Sequence, residues 1–423
     1  YFFYLDVKWG PHKNKLTSST LRLEETCTLV ETLPNWKVVE KKLVSVKFLK
    51  SDQIFQKEKF RQLKSEIRQN IRISGVLVGV DLLSSVQLAA LQKAWRVPVF
   101  DRYAIVLQIF KDHARTKESK LQIALAEIPF LRKRLGQVHQ GIFDKQIGDS
   151  RFIGGTGPVH ISRRKLMLQE RENKIRLALE KIERQRDLLR NNRLKKEFMS
   201  VAVVGYTNSG KTTLIKALTG DNKLEPKDML FATLDVTVHA GVLPNYMKTL
   251  YVDTVGFISD IPTNLIQAFS ATLEDALIAD VIIHIRDISH PDTSGQKHNV
   301  LDTLSSILPP DRLHSIIEVC NKTDLVPLEK LQEEKENDKL FVSAATGQGL
   351  QDLQLQIQQK LITVTGKLYK TFRIPNGGAE LSWLYKEATV QNIEADKDCN
   401  YLIVETIISP AVYQRFTSYF QQT

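Results

Sequence analysis

Eight consecutive residues, Gly205-Tyr206-Thr207-Asn208-Ser209-Gly210-Lys211-Thr212, fit the pattern G-x-x-x-x-G-K-[ST], in which a loop wraps a polyphosphate. Glycine at each end lets successive backbone amides turn inward, and the helix that begins near Thr213 adds the partial positive charge of its N-terminus. Lys211 is placed to bridge the β- and γ-phosphates of a nucleoside triphosphate, and the Thr212 hydroxyl to ligate Mg²⁺. The apolar run 201–204 before the loop reads as a strand, which supplies the strand, loop and helix context that the chemistry needs.

Downstream residues complete a nucleotide switch. Residues 250–256 form an apolar strand ending in Asp253, with Gly256 three positions on. Asp253 is placed to hold a Mg²⁺ water, and the Gly256 amide to sense the γ-phosphate. Upstream, Phe231-Ala232-Thr233-Leu234-Asp235 offers Thr233 as the residue that reaches Mg²⁺ only while the γ-phosphate is present. Thr237 lies in the same polar stretch and is its rival.

Base choice falls to Asn321-Lys322-Thr323-Asp324, after the apolar run 315–319. The Asp324 carboxylate suits the paired N1–H and N2–H₂ donors of guanine, which adenine lacks. Lys322 can lay its stem on the base, and the backbone of Ser343-Ala344-Ala345, after a strand at 340–342, would meet guanine O6. Together these elements predict a Mg²⁺-dependent GTPase that binds GTP and GDP, with Lys211, Asn208, Thr233 and Gly256 nearest the chemistry.

One position departs from the common switch. Ras-type GTPases place a water-orienting glutamine after the glycine of D-x-x-G, whereas here it is Phe257, which neither donates nor accepts a hydrogen bond. Slow intrinsic turnover follows. Asn208 offers a replacement if its side-chain oxygen holds K⁺ against the phosphates, doing electrostatically what an arginine does. The alternative is that Asn208 only caps a tight turn.

The elements that must position this site belong to a chain of 423 residues, 42% hydrophobic and 25% charged, enough for two or three cores. Lys and Arg outnumber Asp and Glu by 40 to 21 in residues 1–200, whereas in residues 201–423 they are outnumbered, 19 against 27. A basic half beside an acidic nucleotide-binding half fits a protein that neutralises phosphates with one part and switches with the other. Three scattered cysteines exclude a disulfide framework. No apolar run approaches the ~20 residues that span a bilayer, so stable membrane insertion is not expected.

The fold expected is α/β throughout. Residues 1–115 alternate short strands and helices and form an N-terminal α/β domain. Residues 116–198 form a long basic helical hairpin: Leu121, Leu125, Ile128 and Leu135 mark one stripe, and Leu168, Ile175, Leu179, Ile182 and Leu189 the other. Between them, residues 137–160 carry five glycines and Pro158, a composition for an exposed tip. Residues 199–366 form a P-loop GTPase domain with a mostly parallel sheet flanked by helices, and residues 367–423 a small C-terminal α/β domain. Arg163, Arg164, Arg171 and Lys174 cluster beside the tip as candidate RNA contacts; a solvated coiled coil is the plainer reading of the same charges.

The motifs 205–214 (GYTNSGKTTL), 230–235 (LFATLD) and 253–258 (DTVGFI) resemble the HflX family. So do Pro262, Leu265, Ala268, Phe269 and Thr272-Leu273-Glu274, together with Asp101-Arg102 and Ala114-Arg115-Thr116. Val7-Lys8-Trp9-Gly10, Leu33-Pro34-Asn35-Trp36 and residues 381–386 (LSWLYK) are similar to its animal mitochondrial branch. The resemblance implies a ribosome-associated GTPase that binds the large subunit of the mitochondrial ribosome and its rRNA, splits ribosomes for recycling, or assists late large-subunit assembly. It also implies a monomer in the mitochondrial matrix, and a chain beginning at Tyr1 is compatible with a removed transit peptide. A third class, a partner in RNA modification, would associate with a modifying enzyme instead of a subunit. The chain departs from the bacterial pattern at the tip, where glycines and Arg163-Arg164 remain from the longer motif, and at residues 55–60, where the family has a glycine-containing loop.

Overall fold

The computed structural model describes residues 2–7, 18–46, 54–135, 158–195, 198–226, 229–259, 278–313, 316–327, 329, 331, 339–396 and 400–420. The glycine-rich tip as far as residue 157, the run from Pro262 to Glu274 and Cys399 lie outside them, whereas Pro158, read as part of the tip, opens a helix.

The N-terminal part is a doubly wound parallel sheet. Its elements run β1 (Phe2–Val7), α1 (Ser19–Glu31), β2 (Lys41–Val46), α2 (Lys57–Gln69), β3 (Val76–Gly79), α3 (Ser85–Trp95), β4 (Val99–Asp101) and α4 (Arg102–His113). The strand order is β2-β1-β3-β4, and every pairing is parallel. One face is covered by α2 and α3 through Leu63, Ile67, Leu88, Leu91 and Trp95. The other is covered by α1 and α4 through Leu29, Val30, Ile105 and Ile109. The segment from Phe55 belongs to this core: Phe55 is buried and its ring meets that of Trp95 at 6.0 Å. The apolar run 104–110 is helix because Asp101 caps it, its carboxylate accepting from Ala104 N at 2.9 Å.

Two long helices follow, α5 (Lys117–Arg134) and α6 (Pro158–Lys195). Arg186 pairs with Glu118 near the start of α5 at 2.9 Å, and Arg132 near its end pairs with Glu172 at 2.8 Å. The partners run in opposite directions, so the hairpin is antiparallel. On α6 the stripe of Leu168, Ile175, Leu179 and Ile182 is buried or half-buried, while Arg163, Arg171 and Lys174 are exposed.

The third part holds β5 (Met199–Gly205), α7 (Lys211–Thr219), β6 (Thr237–Val242), β7 (Lys248–Asp253), β8 (Val281–Asp287), α8 (Thr293–Ser305), β9 (Ile317–Asn321), β10 (Leu340–Phe341) and α9 (Leu350–Thr365). The six strands take the order β10-β9-β8-β5-β7-β6, parallel except where β6 meets β7. Along β5 the side chains alternate between two cores, as the period of two requires. Val201 and Val203 pack with α7 and α9. Ala202 and Val204 pack with α8 and also with α1 and α4 of the N-terminal part, so one apolar core is shared by both parts of the chain.

The last part is an antiparallel sheet of β11 (Leu368–Pro375), β12 (Thr389–Ala395) and β13 (Tyr401–Ile408) in the order β11-β13-β12, with α10 (Ala379–Glu387) and α11 (Pro410–Phe420). Phe372, Leu384, Val404 and Phe416 form its core. Ile407 packs instead into the core under α9 and fastens this part to the six-stranded sheet.

Candidate functional site

Four strand ends of the large sheet, those of β5, β7, β9 and β10, deliver the site. β5 ends in Gly205, where a Cβ would fall 2.4 Å from the carbonyl oxygen of Ile285, so the strand can only pass there without a side chain. The chain then loops over Tyr206 to Gly210 and enters α7. Gly210 holds φ at 94°, in the left-handed region, and its Cα faces the Asn321 side chain. Asn208 also has positive φ, 59°, a conformation that asparagine tolerates better than most residues.

Lys211 opens α7 and is buried, its ammonium donating to the carbonyl oxygens of Tyr206 at 2.9 Å and Gly205 at 3.4 Å. Burial lowers its pKa to about 8, opposed by Asp253. Gly256 abuts it: a Cβ there would sit 2.9 Å from Lys211 Nζ and 2.9 Å from Thr207 Cα. Lys211, Thr207, Asn208, Gly210, Thr212, Thr213, Thr233 and Gly256 line one cleft, closed at the side by Pro226, Met229 and Phe231.

Three oxygens converge beside Lys211. Thr212 donates to Asp253 Oδ2 at 2.7 Å, Thr233 donates to the same oxygen at 3.2 Å, and the two hydroxyls are 3.1 Å apart. Burial raises the Asp253 pKa against the hydrogen bonds of Thr212 and the charge of Lys211. Its second oxygen, Oδ1, is buried without a hydrogen-bond partner among the described residues. A carboxylate with an unpartnered oxygen beside two hydroxyls is a hard donor set that fits Mg²⁺. Thr237 is elsewhere: it begins β6, is exposed, and its hydroxyl lies 2.9 Å from His239 Nε2.

The second loop packs directly on the first. Asn321 donates from Nδ2 to the Ser209 carbonyl at 2.8 Å and accepts at Oδ1 from Ala344 N at 3.0 Å. It therefore brackets the phosphate loop against the loop that follows β10. The exposed Asp324 accepts at Oδ1 from the Ser343 hydroxyl at 2.6 Å, which fixes its carboxylate plane. The Lys322 ammonium pairs with Asp287, at the end of β8, at 2.7 Å. Ala345 is exposed at the rim.

Tyr206 faces away from the cleft. Its hydroxyl reaches Glu25 of α1 at 2.5 Å and the Ser259 hydroxyl at 2.7 Å, and it accepts from Ser259 N at 2.7 Å. Arg102 of α4 donates to the Ser259 carbonyl at 2.8 Å and to the Thr26 hydroxyl at 3.1 Å. Phe257 is buried in the same region, and its backbone pairs with the phosphate loop, Thr207 N donating to Phe257 O at 2.6 Å. Nothing at position 257 could therefore point at water without leaving the core.

A further junction joins the Thr233 segment to the hairpin. The Asp235 carboxylate accepts from Thr116 Oγ1 at 2.7 Å, from the Ser119 hydroxyl, and from the backbone nitrogens of Arg115 and Thr116 at 3.1 and 3.3 Å. The sequence carried the signal for these junctions in Arg102 and in Ala114-Arg115-Thr116, but no geometry for them. Of the candidate RNA contacts, Arg171 lies 4.0 Å from Glu127. Among the described residues no His, Cys, Asp and Glu cluster suits a metal, and no helix is long and apolar enough to cross a membrane.

Three family models cover most of the chain: "GTP-binding GTPase N-terminal" matches residues 20–111, "GTP-binding GTPase Middle Region" 113–193 and "50S ribosome-binding GTPase" 200–322. GTP-binding protein 6 of Xenopus laevis is 46% identical over 98% of this chain and 78% of its own length. GTPase HflX of Magnetococcus marinus is 34% identical over 79% of this chain and 76% of its own. A solved GTP-binding protein of Sulfolobus solfataricus in complex with GDP is 24% identical, covering 86% of this chain and 99% of that one with a TM-score of 0.43.

Proposed function

The chain belongs to the HflX family of GTPases, and from that premise we propose that it binds the large subunit of the mitochondrial ribosome in its GTP form and splits ribosomes for recycling. The observation that carries this reading is the union, in one chain, of the guanine-nucleotide cleft with a 38-residue basic helix. RNA phosphates are the natural partners of such a helix. Its exposed Arg163, Arg171 and Lys174 and the half-exposed Arg164 supply the rRNA contacts in this proposal.

Each site residue then has a role. Lys211 balances the β- and γ-phosphates, and its pKa of about 8 rises again once they are bound. Thr212, Thr233 and Asp253 would hold Mg²⁺, which would offset the negative charge of the phosphates when bound. The backbone of residues 205–213 cradles the phosphates, and the Gly256 amide meets the γ-phosphate. Asp324, aimed by Ser343, reads guanine, with Lys322 beside the ring and the Ser343-Ala344-Ala345 backbone near O6. Asn208 would hold K⁺, whose charge would stand in for that of an arginine. The protein acts as a monomer in the matrix.

Incubating the protein with intact mitochondrial ribosomes and a nonhydrolysable GTP analogue, then resolving subunits on a gradient, tests the proposal. Loss of intact ribosomes with the protein on the large subunit is the expected result. Association with immature large subunits alone, intact ribosomes persisting, would instead assign a role in late assembly. Equal affinities for GTP and ATP would remove the nucleotide assignment itself.

A further inference from the structure

The segment bearing Thr233 is fastened on both sides, to the end of α4 and to the start of the hairpin. On one side His113 Nδ1 donates to the Phe231 carbonyl at 2.9 Å, and the Phe231 ring meets Phe110 edge-on at 4.7 Å. On the other, Asp235 accepts four hydrogen bonds from Arg115, Thr116 and Ser119. Thr116 is the N-cap of α5, its hydroxyl accepting from Ser119 N at 3.1 Å. Asp235 thus serves as a second cap on a helix 119 residues earlier in the chain, and a carboxylate at a helix N-terminus is favoured by both the unpaired amides and the helix dipole.

The geometry points to Thr116 and Ser119 as positioning residues for GTP hydrolysis: by holding Asp235 they keep Thr233 beside Thr212 and Asp253, and they join the basic hairpin to the cation-holding loop. The inference rests on the reading of Thr212, Thr233 and Asp253 as the Mg²⁺ pocket. Only one residue separates Thr233 from Asp235, so a carboxylate fixed at the helix end leaves the threonine little freedom. A partner that tilts α5 moves Asp235 and with it Thr233. By linkage, nucleotide that fixes Thr233 must alter affinity at the hairpin by the same factor.

The test uses the full chain with D235A, T116V, the double variant and T116S, which keeps the hydroxyl. Release of a fluorescent GTP analogue is followed against Mg²⁺ concentration, and deuterium uptake is read at residues 117–120 with GDP and with the analogue. Each of D235A and T116V is expected to raise the Mg²⁺ needed for half-maximal retention about tenfold, with GTP KM at saturating Mg²⁺ within about threefold. The double variant should be no worse than D235A alone, because T116V removes one of the four bonds that D235A removes together. T116S should behave as the unmutated chain, and uptake at 117–120 should be faster in D235A with either nucleotide. An unchanged Mg²⁺ dependence in folded D235A, or additive effects in the double variant, overturns the inference. Absence of any Mg²⁺-dependent retention in the unmutated chain would instead remove the underlying pocket assignment.

Discussion

The Tyr206 hydroxyl accepts a hydrogen bond from the backbone nitrogen of Ser259 at 2.7 Å, joining the phosphate loop to the segment that follows Gly256. The same hydroxyl donates to Glu25, so this loop position is tied simultaneously to a helix of the N-terminal part. Tyr206 is buried, and its ring does not line the cleft.

Y206F leaves Glu25 and Ser259 N short of a partner in a buried setting, which should cost roughly 1–3 kcal/mol of stability. GTP affinity should stay within about threefold, since the ring keeps its packing and the loop backbone its path. Urea unfolding and nucleotide titration check the two halves of this statement. A large loss of affinity with unchanged stability would mean that the hydroxyl serves the nucleotide directly.

Asn208 and Phe257 together predict a monovalent-cation effect. With Phe257 locked in the core, charge developing on the transferring phosphoryl group needs another partner, and K⁺ held by Asn208 supplies one. Turnover at constant ionic strength should be faster in K⁺ than in Na⁺, and N208A should erase most of the difference while nucleotide still binds. Equal rates in the two salts would leave Asn208 as a residue that suits the left-handed turn.

Replacing Arg163, Arg164, Arg171 and Lys174 together with alanine should weaken binding to the large subunit and flatten its dependence on salt. Every RNA phosphate that these side chains no longer neutralise takes about 0.7–0.9 off the slope of log K against log salt concentration. Binding isotherms between low and moderate KCl measure it. An unaltered slope would return these residues to the solvated face of the hairpin.

His284, in β8, is 2% exposed, and burial lowers its pKa to about 4, with Glu318 opposing the shift. The folded chain therefore holds this ring neutral while the unfolded chain protonates it near pH 6.5. Its contribution is complete above that pH and is lost as pH falls from about 6.5 to about 4, a total of roughly 3 kcal/mol. H284L should remove this part of the acid sensitivity. Denaturant midpoints for both chains between about pH 7 and about pH 4.5 should diverge as acid is added; parallel curves would show that His284 stays uncharged in both states or titrates alike in both.

Local pattern revealed the phosphate loop, because every feature of it lies within a dozen residues, and the run 205–212 does lead from strand β5 into helix α7. It revealed less where distant parts of the chain decide. Strand β6 is mostly exposed and carries a glycine one residue from its end, so it has no clean alternation to read, and it exists because β7 offers a free edge. The choice of Thr233 over Thr237 leans on motif resemblance, because both lie in one polar stretch; the geometry that carries one to Asp253 and the other away belongs to the fold. Arg102 and Asp235 stand out in the sequence only as members of motifs and Glu25 not at all; what they hold becomes visible once partners 76 to 181 residues distant are brought against them.

The apolar core shared between α1, α4 and the strands of the nucleotide-binding sheet also bears on how the chain comes apart. Phe110 and Phe231 meet edge-on across that junction, and Val204, Phe257 and Ile258 lie in the same cluster as Leu29 and Ile109. Parts that pool their cores melt together, so a calorimetric scan should give one endotherm for residues 18–365 instead of separate peaks. A fragment beginning at residue 199 would carry half of a divided core as a sticky, water-facing patch.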